Sequence, residues 1–260
     1  MRVLLTRPAS DSAELARVLE GRGYRCRIAP LFIVAECGWD PALLDGVHAV
    51  LLTSRNAARQ LARAWTLSRD VKVFAVGPAT AAEAGAFGFR NVTAAAGTAE
   101  SLLDLVRRSL APNAGRIAYM SGAVVSVDIA ADLRRDGFAV EQLVVYHTIP
   151  VKRLSPLSMA EIRLGNMDVG LFLSRRTAQV FRDLMCEAAL DPYCASMSAI
   201  AISAKVAQEL QDLPWRSLEY TDEPSLNSVL AALNRMKGDR RCAEERAGRH
   251  VLAGSDLGGR

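Results

Sequence analysis

RVLLTRPASDSAELARVLEGRGYRCRIAPLF (residues 2–32) aligns without a gap on RIAYMSGAVVSVDIAADLRRDGFAVEQLVVY (residues 116–146). Arg2/Arg116, Ala9/Ala123, Ser12/Ser126, Ala16/Ala130, Leu19/Leu133 and Gly23/Gly137 are identical, and Tyr24 matches Phe138. Each copy opens on a short apolar run, continues with an apolar stripe at helical spacing (Leu15, Val18 and Leu19 in the first), and turns at glycine into a second apolar run. That pattern is a strand, a helix and a second strand, with glycine closing the helix. Two further blocks repeat in the same order. VLLTSRNAARQL (50–61) matches GLFLSRRTAQVF (170–181), and VFAVGPATAAEA (73–84) matches AIAISAKVAQEL (199–210). Chance similarity among strand–helix units accounts poorly for three ordered matches, so the chain reads as a duplication.

Outward from these blocks the alternation continues. Strands are predicted at 47–53, 71–76, 90–94, 115–121, 138–146, 168–173, 197–202 and 215–220. Helices are predicted at 56–66, 78–86, 99–110, 124–135, 176–189, 203–211 and 224–236. The fold class is therefore α/β, with parallel sheets flanked by helices. With 260 residues, half of them hydrophobic, the chain can bury a substantial core. The Gly-rich, charge-mixed stretch 238–260 breaks the pattern and is expected to be a disordered tail.

Composition excludes several function classes. The net charge of +4 favours anionic ligands weakly, but no Lys/Arg stripe interleaved with aromatics marks a nucleic-acid partner. Arg2 and Arg7 bracket an apolar run too short for a signal-peptide core, and no apolar run is long enough to span a membrane. A cytoplasmic protein with no membrane partner is expected. Five scattered cysteines form no C-x-x-C pair, and three histidines are too few for a His-rich metal site, so no metal is expected. No dinucleotide fingerprint, P-loop or nucleophile elbow is present, so no cofactor is expected either.

In open parallel sheets, ligands bind beyond the carboxyl ends of the strands. Those ends carry hydroxyls, glycines and arginines here: Thr6-Arg7-Pro8, Thr53-Ser54-Arg55-Asn56, Gly77-Pro78-Ala79-Thr80, Ser121-Gly122, Ser174-Arg175-Arg176-Thr177 and Ser203. Each cluster opens a helix, so any one hydroxyl is explained by N-capping. Collectively, helix N-termini ringing a cleft between the two copies would suit a ligand with many carboxylates or phosphates. On that basis Arg7, Thr53, Ser54, Asn56, Thr80, Ser121, Gly122, Ser174 and Ser203 are candidate substrate-binding positions. Tyr146 ends the apolar run Leu143-Val144-Val145 and could pack, or could donate a proton or hydrogen bond near neutrality. If the strand continues past it, His147 points to the opposite face.

These motifs, in their order and spacing, resemble the uroporphyrinogen-III synthase family. The matching stretches include VLLTRP (3–8), LLTSRNAARQL (51–61), VFAVGPATAAEAGAFGF (73–89), GTAESLL (97–103), YMSG (119–122), DLRRDGFAVEQLVVYHT (132–148), FLSRRTAQVF (172–181) and EPSLNSVLAAL (223–233). The resemblance implies two similar flavodoxin-like domains joined by a two-stranded hinge. Residues 1–34 would pack with 153–237, and 38–148 would form the other domain. It implies cyclisation of the linear tetrapyrrole hydroxymethylbilane, with loss of water and inversion of ring D, and without cofactor or metal. It also implies a monomer that can take its substrate by transient handover from hydroxymethylbilane synthase.

Carried over by position, Tyr146 matches the family tyrosine associated with water loss, and it is the candidate catalytic residue. Thr53, Ser54, Thr80 and Ser174 match polar cleft positions. The second copy departs where Val206 replaces the hydroxyl of Thr80, leaving Ser203 or Lys205 as substitutes. That departure keeps open a non-catalytic, two-lobed binder of a tetrapyrrole or other polyanion.

Overall fold

In the computed structural model, residues 1–253 are described except Leu67 and Ser126, with side chains described up to residue 239. The chain forms two compact units, Met1–Ile33 with Pro150–Arg260, and Val34–Ile149.

The first unit holds a five-stranded sheet built from β1 (Arg2–Leu5), β2 (Arg25–Ile28), β9 (Val169–Phe172), β10 (Ser198–Ala201) and β11 (Ser217–Tyr220). Its order is β11-β10-β9-β1-β2, and all four pairings are parallel. The second unit holds, but for Phe32, Ile33 and Pro150 at two strand ends, a six-stranded sheet built from β3 (Phe32–Glu36), β4 (Ala49–Leu52), β5 (Lys72–Ala75), β6 (Val92–Ala94), β7 (Ile117–Gly122) and β8 (Val140–Pro150), in the order β3-β8-β7-β4-β5-β6. Apart from β3, the two sheets have the same strand order, and it changes direction beside the opening strand of each copy. That is the flavodoxin-like arrangement, whose ligands bind beyond the strand ends at the switch point.

The registers repeat as well. Val3 faces Val169 in one sheet, and Ile117, its match in the repeat, faces Ala49 in the other. Val3 also faces Cys26, and Ile117 faces Val140. The alignment of the two sequence blocks is thus reproduced residue by residue in the backbone pairing.

Helices explain the apolar strands. With both faces of a parallel sheet covered, a central strand has no solvent side, and its residues are hydrophobic without alternation. β4 (AVLL) and β9 (VGLF) are buried along their whole lengths. In the second unit Leu51, Ile117 and Tyr119 enter one core, while Val50, Leu52, Ala118 and Met120 enter the other. In the first unit Leu4 and Phe172 fall on one face, with Val3, Leu5 and Leu171 on the other. The matched helices α1 (Ala9–Glu20) and α5 (Ile129–Arg135) each run into a glycine at positive φ, Gly23 at 76° and Gly137 at 87°. Only glycine takes that conformation without strain, so both copies keep it.

Three expectations need correction. Helix α5 begins at Ile129 rather than at 124, because Asp128 caps it by accepting from the Ala131 N–H at 2.9 Å. Val124 and Val125, stiff at χ1, remain in the loop before it. The helix expected over 203–211 is α8 (Ala204–Ala207) followed by a 3₁₀ turn, Gln208–Leu210. The C-terminal helix α9 (Leu226–Ala253) continues through residues expected to be disordered. Residues 239–250 contain no proline and are rich in Ala, Arg and Glu, which favour helix. Residues 254–260 of that predicted tail lie outside the described residues. Helix α6 (Pro156–Arg163) has no counterpart among the predicted elements.

Candidate active site

Strand β8 departs from regular pairing at one point. Ser121 of β7 faces Val144, but Gly122 faces Tyr146, so Val145 is an extra residue. A bulge of this kind re-aims the side chain that follows it. Val145 stays buried in the core, and Tyr146 is brought beside Gly122. A Cβ placed on Gly122 would lie 2.8 Å from both Cε2 and Cζ of Tyr146 and 3.0 Å from its hydroxyl. Gly122 is therefore required here for space rather than for its conformation. His147 is exposed, as alternation along the strand predicts.

The Tyr146 hydroxyl donates to Ser54 Oγ at 2.9 Å. Ser54 also caps α2 (Arg55–Ala64), its Oγ accepting from the Ala57 N–H at 3.1 Å. A serine oxygen has two lone pairs and one proton. Both lone pairs are occupied by these bonds, which leaves the serine proton free to be donated. Thr53, the preceding residue, is hydrogen-bonded to the hydroxyl of Tyr119 on β7. Burial pushes the Tyr119 phenol above its ordinary value, the Thr53 bond pulls it down, and nearby Tyr146 and Asp128 raise it.

Around these groups the second unit has a cavity of about 450 Å³. Its polar lining includes Thr53, Thr98, Glu100, Tyr119 and Tyr146. Its apolar lining includes Val76, Val124, Val125, Val127 and Ile129. Thr98 and Gly97 enter it from the start of α4 (Ala99–Ser109), where Thr98 and Ser101 form a capping box. Among the described residues no group of three or more His, Cys, Asp or Glu side chains could hold a metal ion.

Of the positions singled out from the sequence, Thr53, Gly122 and Tyr146 line this cavity, and Ser54 is bonded to Tyr146. Asn56 lies two residues further on in α2, its Oδ1 accepting from Arg59 Nη1 at 3.1 Å. Ser121 does not join them: it is fully buried and accepts from Gln142 Nε2 at 3.0 Å. Thr80 is buried within α3 (Pro78–Ala86) and does not line the cavity. Its counterpart Val206 is likewise buried, in the core of the first unit, so a hydroxyl is replaced by its near-isostere inside packing.

The remaining candidates belong to the first unit. Arg7 is paired with Asp11 at 2.8 Å. Ser174 caps α7 (Arg175–Glu187), accepting from the Thr177 N–H at 3.2 Å. Ser203 precedes α8 without a side-chain cap bond. Tyr119 and Glu100 are cavity residues that sequence reasoning misses. The one signal in the sequence is that Tyr119 stands where the first copy has Leu5.

A family model described as uroporphyrinogen-III synthase HemD matches residues 13–231. No curated protein matches the sequence. Among solved structures, uroporphyrinogen-III synthetase from Helicobacter pylori superimposes with a TM-score of 0.59 at 17% identity, over 91% of this chain and 100% of that one. A mutant uroporphyrinogen III synthase from the extremely thermophilic bacterium Thermus thermophilus superimposes with a TM-score of 0.52 at 19% identity, over 92% and 99% of the two chains. At such identities the structural likeness speaks for the fold.

Proposed function

This chain belongs to the uroporphyrinogen-III synthase family, and from that premise we propose that it works at the strand-end cavity of its second unit, with Tyr146 as proton donor. Its reaction is the cyclisation of hydroxymethylbilane to uroporphyrinogen III, with ring D inverted and water lost. The observation that carries the assignment of the site is the bond from the Tyr146 hydroxyl to Ser54 Oγ, 2.9 Å long, at the wall of the cavity.

The chemistry asks for little beyond geometry and one proton. The bond from the terminal carbon to its hydroxyl breaks as the adjoining pyrrole nitrogen pushes its electron pair toward that carbon. Tyr146 gives its proton to the departing oxygen, which leaves as water. The phenolate that remains needs a donor, and Ser54 has one. The bond between them reverses, so that Ser54 donates to the phenolate while still accepting from the Ala57 N–H at the positive end of α2. The electrophilic carbon is then attacked by ring D at the α-carbon that already carries the bridge to ring C, which gives a spiro intermediate. The bond from that carbon to the bridging methylene breaks, the methylene becomes the new electrophile, and it re-bonds to the other α-carbon of ring D, which is thereby inverted. The proton lost as the last ring regains aromaticity restores the phenol. A positioned general acid contributes about 10²–10⁴-fold to such a step.

Among the described residues, no helix is long and apolar enough to cross a membrane. The further reading is a cytoplasmic monomer that receives its substrate from hydroxymethylbilane synthase. It is supported by the tendency of free hydroxymethylbilane to close without inversion, which makes a short transit useful.

The experiment is incubation of the purified protein with freshly generated hydroxymethylbilane, followed by separation of the type I and type III products. Type III is expected, with the rate falling about tenfold or more in Tyr146→Phe. Unchanged turnover in that variant would remove Tyr146 from the mechanism.

A further inference from the structure

Thr53 and Ser54 are consecutive residues at the end of β4, and each is held by a tyrosine hydroxyl from another strand. Tyr146 of β8 bonds Ser54, and Tyr119 of β7 bonds Thr53. The register places Tyr119 opposite Leu51, so its ring reaches along the strand to the residue two places on. That ring is 1% exposed and packed in the core with Ala49, Leu51 and Ile129. Both Tyr119 and Thr53 line the cavity.

The other copy shows what this place looks like without the bond. Tyr119 matches Leu5, and Thr53 matches Leu173. Leu5 is 1% exposed, in a core that Leu173 packs against. Both partners are thus polar in one copy and both are hydrocarbon in the other. A buried hydroxyl without a partner is destabilising, whereas an apolar pair of similar shape packs at least as well as a bonded polar pair. Packing alone gives no reason for two hydroxyls in the second unit. Their common feature is the cavity they face.

We propose that Tyr119 is a positioning residue: through Thr53 it fixes the cavity wall against which the bilane folds, and so governs which isomer the enzyme releases. The inference rests on this cavity being the reaction site, and it assigns to Tyr119 a part distinct from that of Tyr146. Type III requires one folded geometry of the chain, and spontaneous closure gives type I, so the choice of product is geometric. Tyr146 controls loss of the hydroxyl. A threonine hydroxyl held in one direction controls how the activated chain lies. Burial pushes the Tyr119 phenol above its ordinary value, which makes it a weaker acid and suits a fixed hydrogen-bonding group rather than a proton source.

The test uses Tyr119→Phe and Thr53→Val, each nearly volume-conserving, with the type I share measured as enzyme is raised into excess over substrate. Type I formed in solution disappears as enzyme is added. Type I formed by misfolded substrate on the enzyme does not. In both variants a type I share raised about fivefold or more should persist at enzyme excess, the discrimination carried by roughly one neutral hydrogen bond. Loss of type I at enzyme excess in either folded variant would overturn the proposal and leave Tyr119 a packing residue. Should Tyr119→Phe fail to fold, Thr53→Val alone decides. The rate of Tyr146→Phe is read separately, so failure of the proton-donor assignment is distinguishable from failure of this one.

Discussion

The ring of Tyr146 lies against the backbone of Gly122 so closely that the smallest side chain would stand 2.8 Å from two of its carbons. A contact of that length between real atoms does not persist, so Gly122→Ala must displace the ring. Gly122 has no left-handed conformation to lose, and the effect should fall on the reaction rather than on the backbone. We expect kcat to drop about tenfold or more, as for loss of a general acid, with a melting temperature changed by only a few degrees. A variant with full turnover would show that the hydroxyl reaches substrate from more than one ring position.

Ser54 separates two roles that one atom performs. Ser54→Ala removes the cap of α2 and the partner of Tyr146 together. The expected loss is about 1 kcal/mol of stability, or roughly 2–4 °C in melting temperature for a chain of this size, along with a fall in kcat. Ser54→Asp restores an N-cap acceptor, but an ionised carboxylate has no proton to give to a phenolate. Stability should return in that variant while turnover stays low. Recovery of both would assign Ser54 to capping alone.

Two thiols report on the packing of the first unit. Burial pushes Cys26 up to about 11 and Cys194 up to about 12, with nearby acidic groups adding to the shift. The thiolate is the reactive form. At pH 8, iodoacetamide should modify the exposed Cys186 in the native protein and leave Cys194 untouched until denaturant is added. Peptide mass spectrometry reads this directly, and rapid native labelling of Cys194 would contradict the packing. The same shifts bear on stability. Folded, both thiols hold their protons above the ordinary value of 9.0, so their contribution is present below that pH and is lost as pH rises toward 11–12.

Tyr24 offers a control on the first unit. Its hydroxyl donates to Asn234 Oδ1 at 2.7 Å and ties the end of α1 to α9. Its match in the repeat is Phe138, which is buried without such a bond. Tyr24→Phe should lower stability by about 0.5–1.5 kcal/mol, the worth of one hydrogen bond, and leave the isomer ratio of the product unchanged. A shift in that ratio would extend the active region to the first unit.

Much of this architecture is legible in the sequence because parallel strands covered on both faces must be apolar along their length. Runs such as VLL at 50–52 and GLF at 170–172 therefore stand out, and their repetition carries the alignment into the strand registers. Helix starts are less visible where two signals compete. The run from Val124 reads as helical until Asp128 is recognised as the cap. The C-terminal helix escapes a reading that weighs charge and glycine content above the helix propensity of Ala, Arg and Glu. At the cavity, Thr53, Gly122 and Tyr146 are legible as strand-end residues. Ser121 groups with them in the sequence because strand ends can be read there, but which face a side chain takes depends on register, and the extra Val145 is a tertiary feature. Tyr119 is hidden for the opposite reason: inside an apolar strand a tyrosine reads as core, which most of its ring is.

The tight seat of Tyr146 on Gly122 also decides when its freedom is surrendered. Immobilising a side chain at a binding event costs roughly 0.5–1.5 kcal/mol of entropy. Here the ring is pressed on the glycine and tethered to Ser54 before any substrate arrives. The rotor is frozen once, during folding, so that with Tyr146 as the proposed proton donor each turnover would begin with the phenol already aimed. One missing methyl group on a neighbouring strand is what makes that early commitment possible.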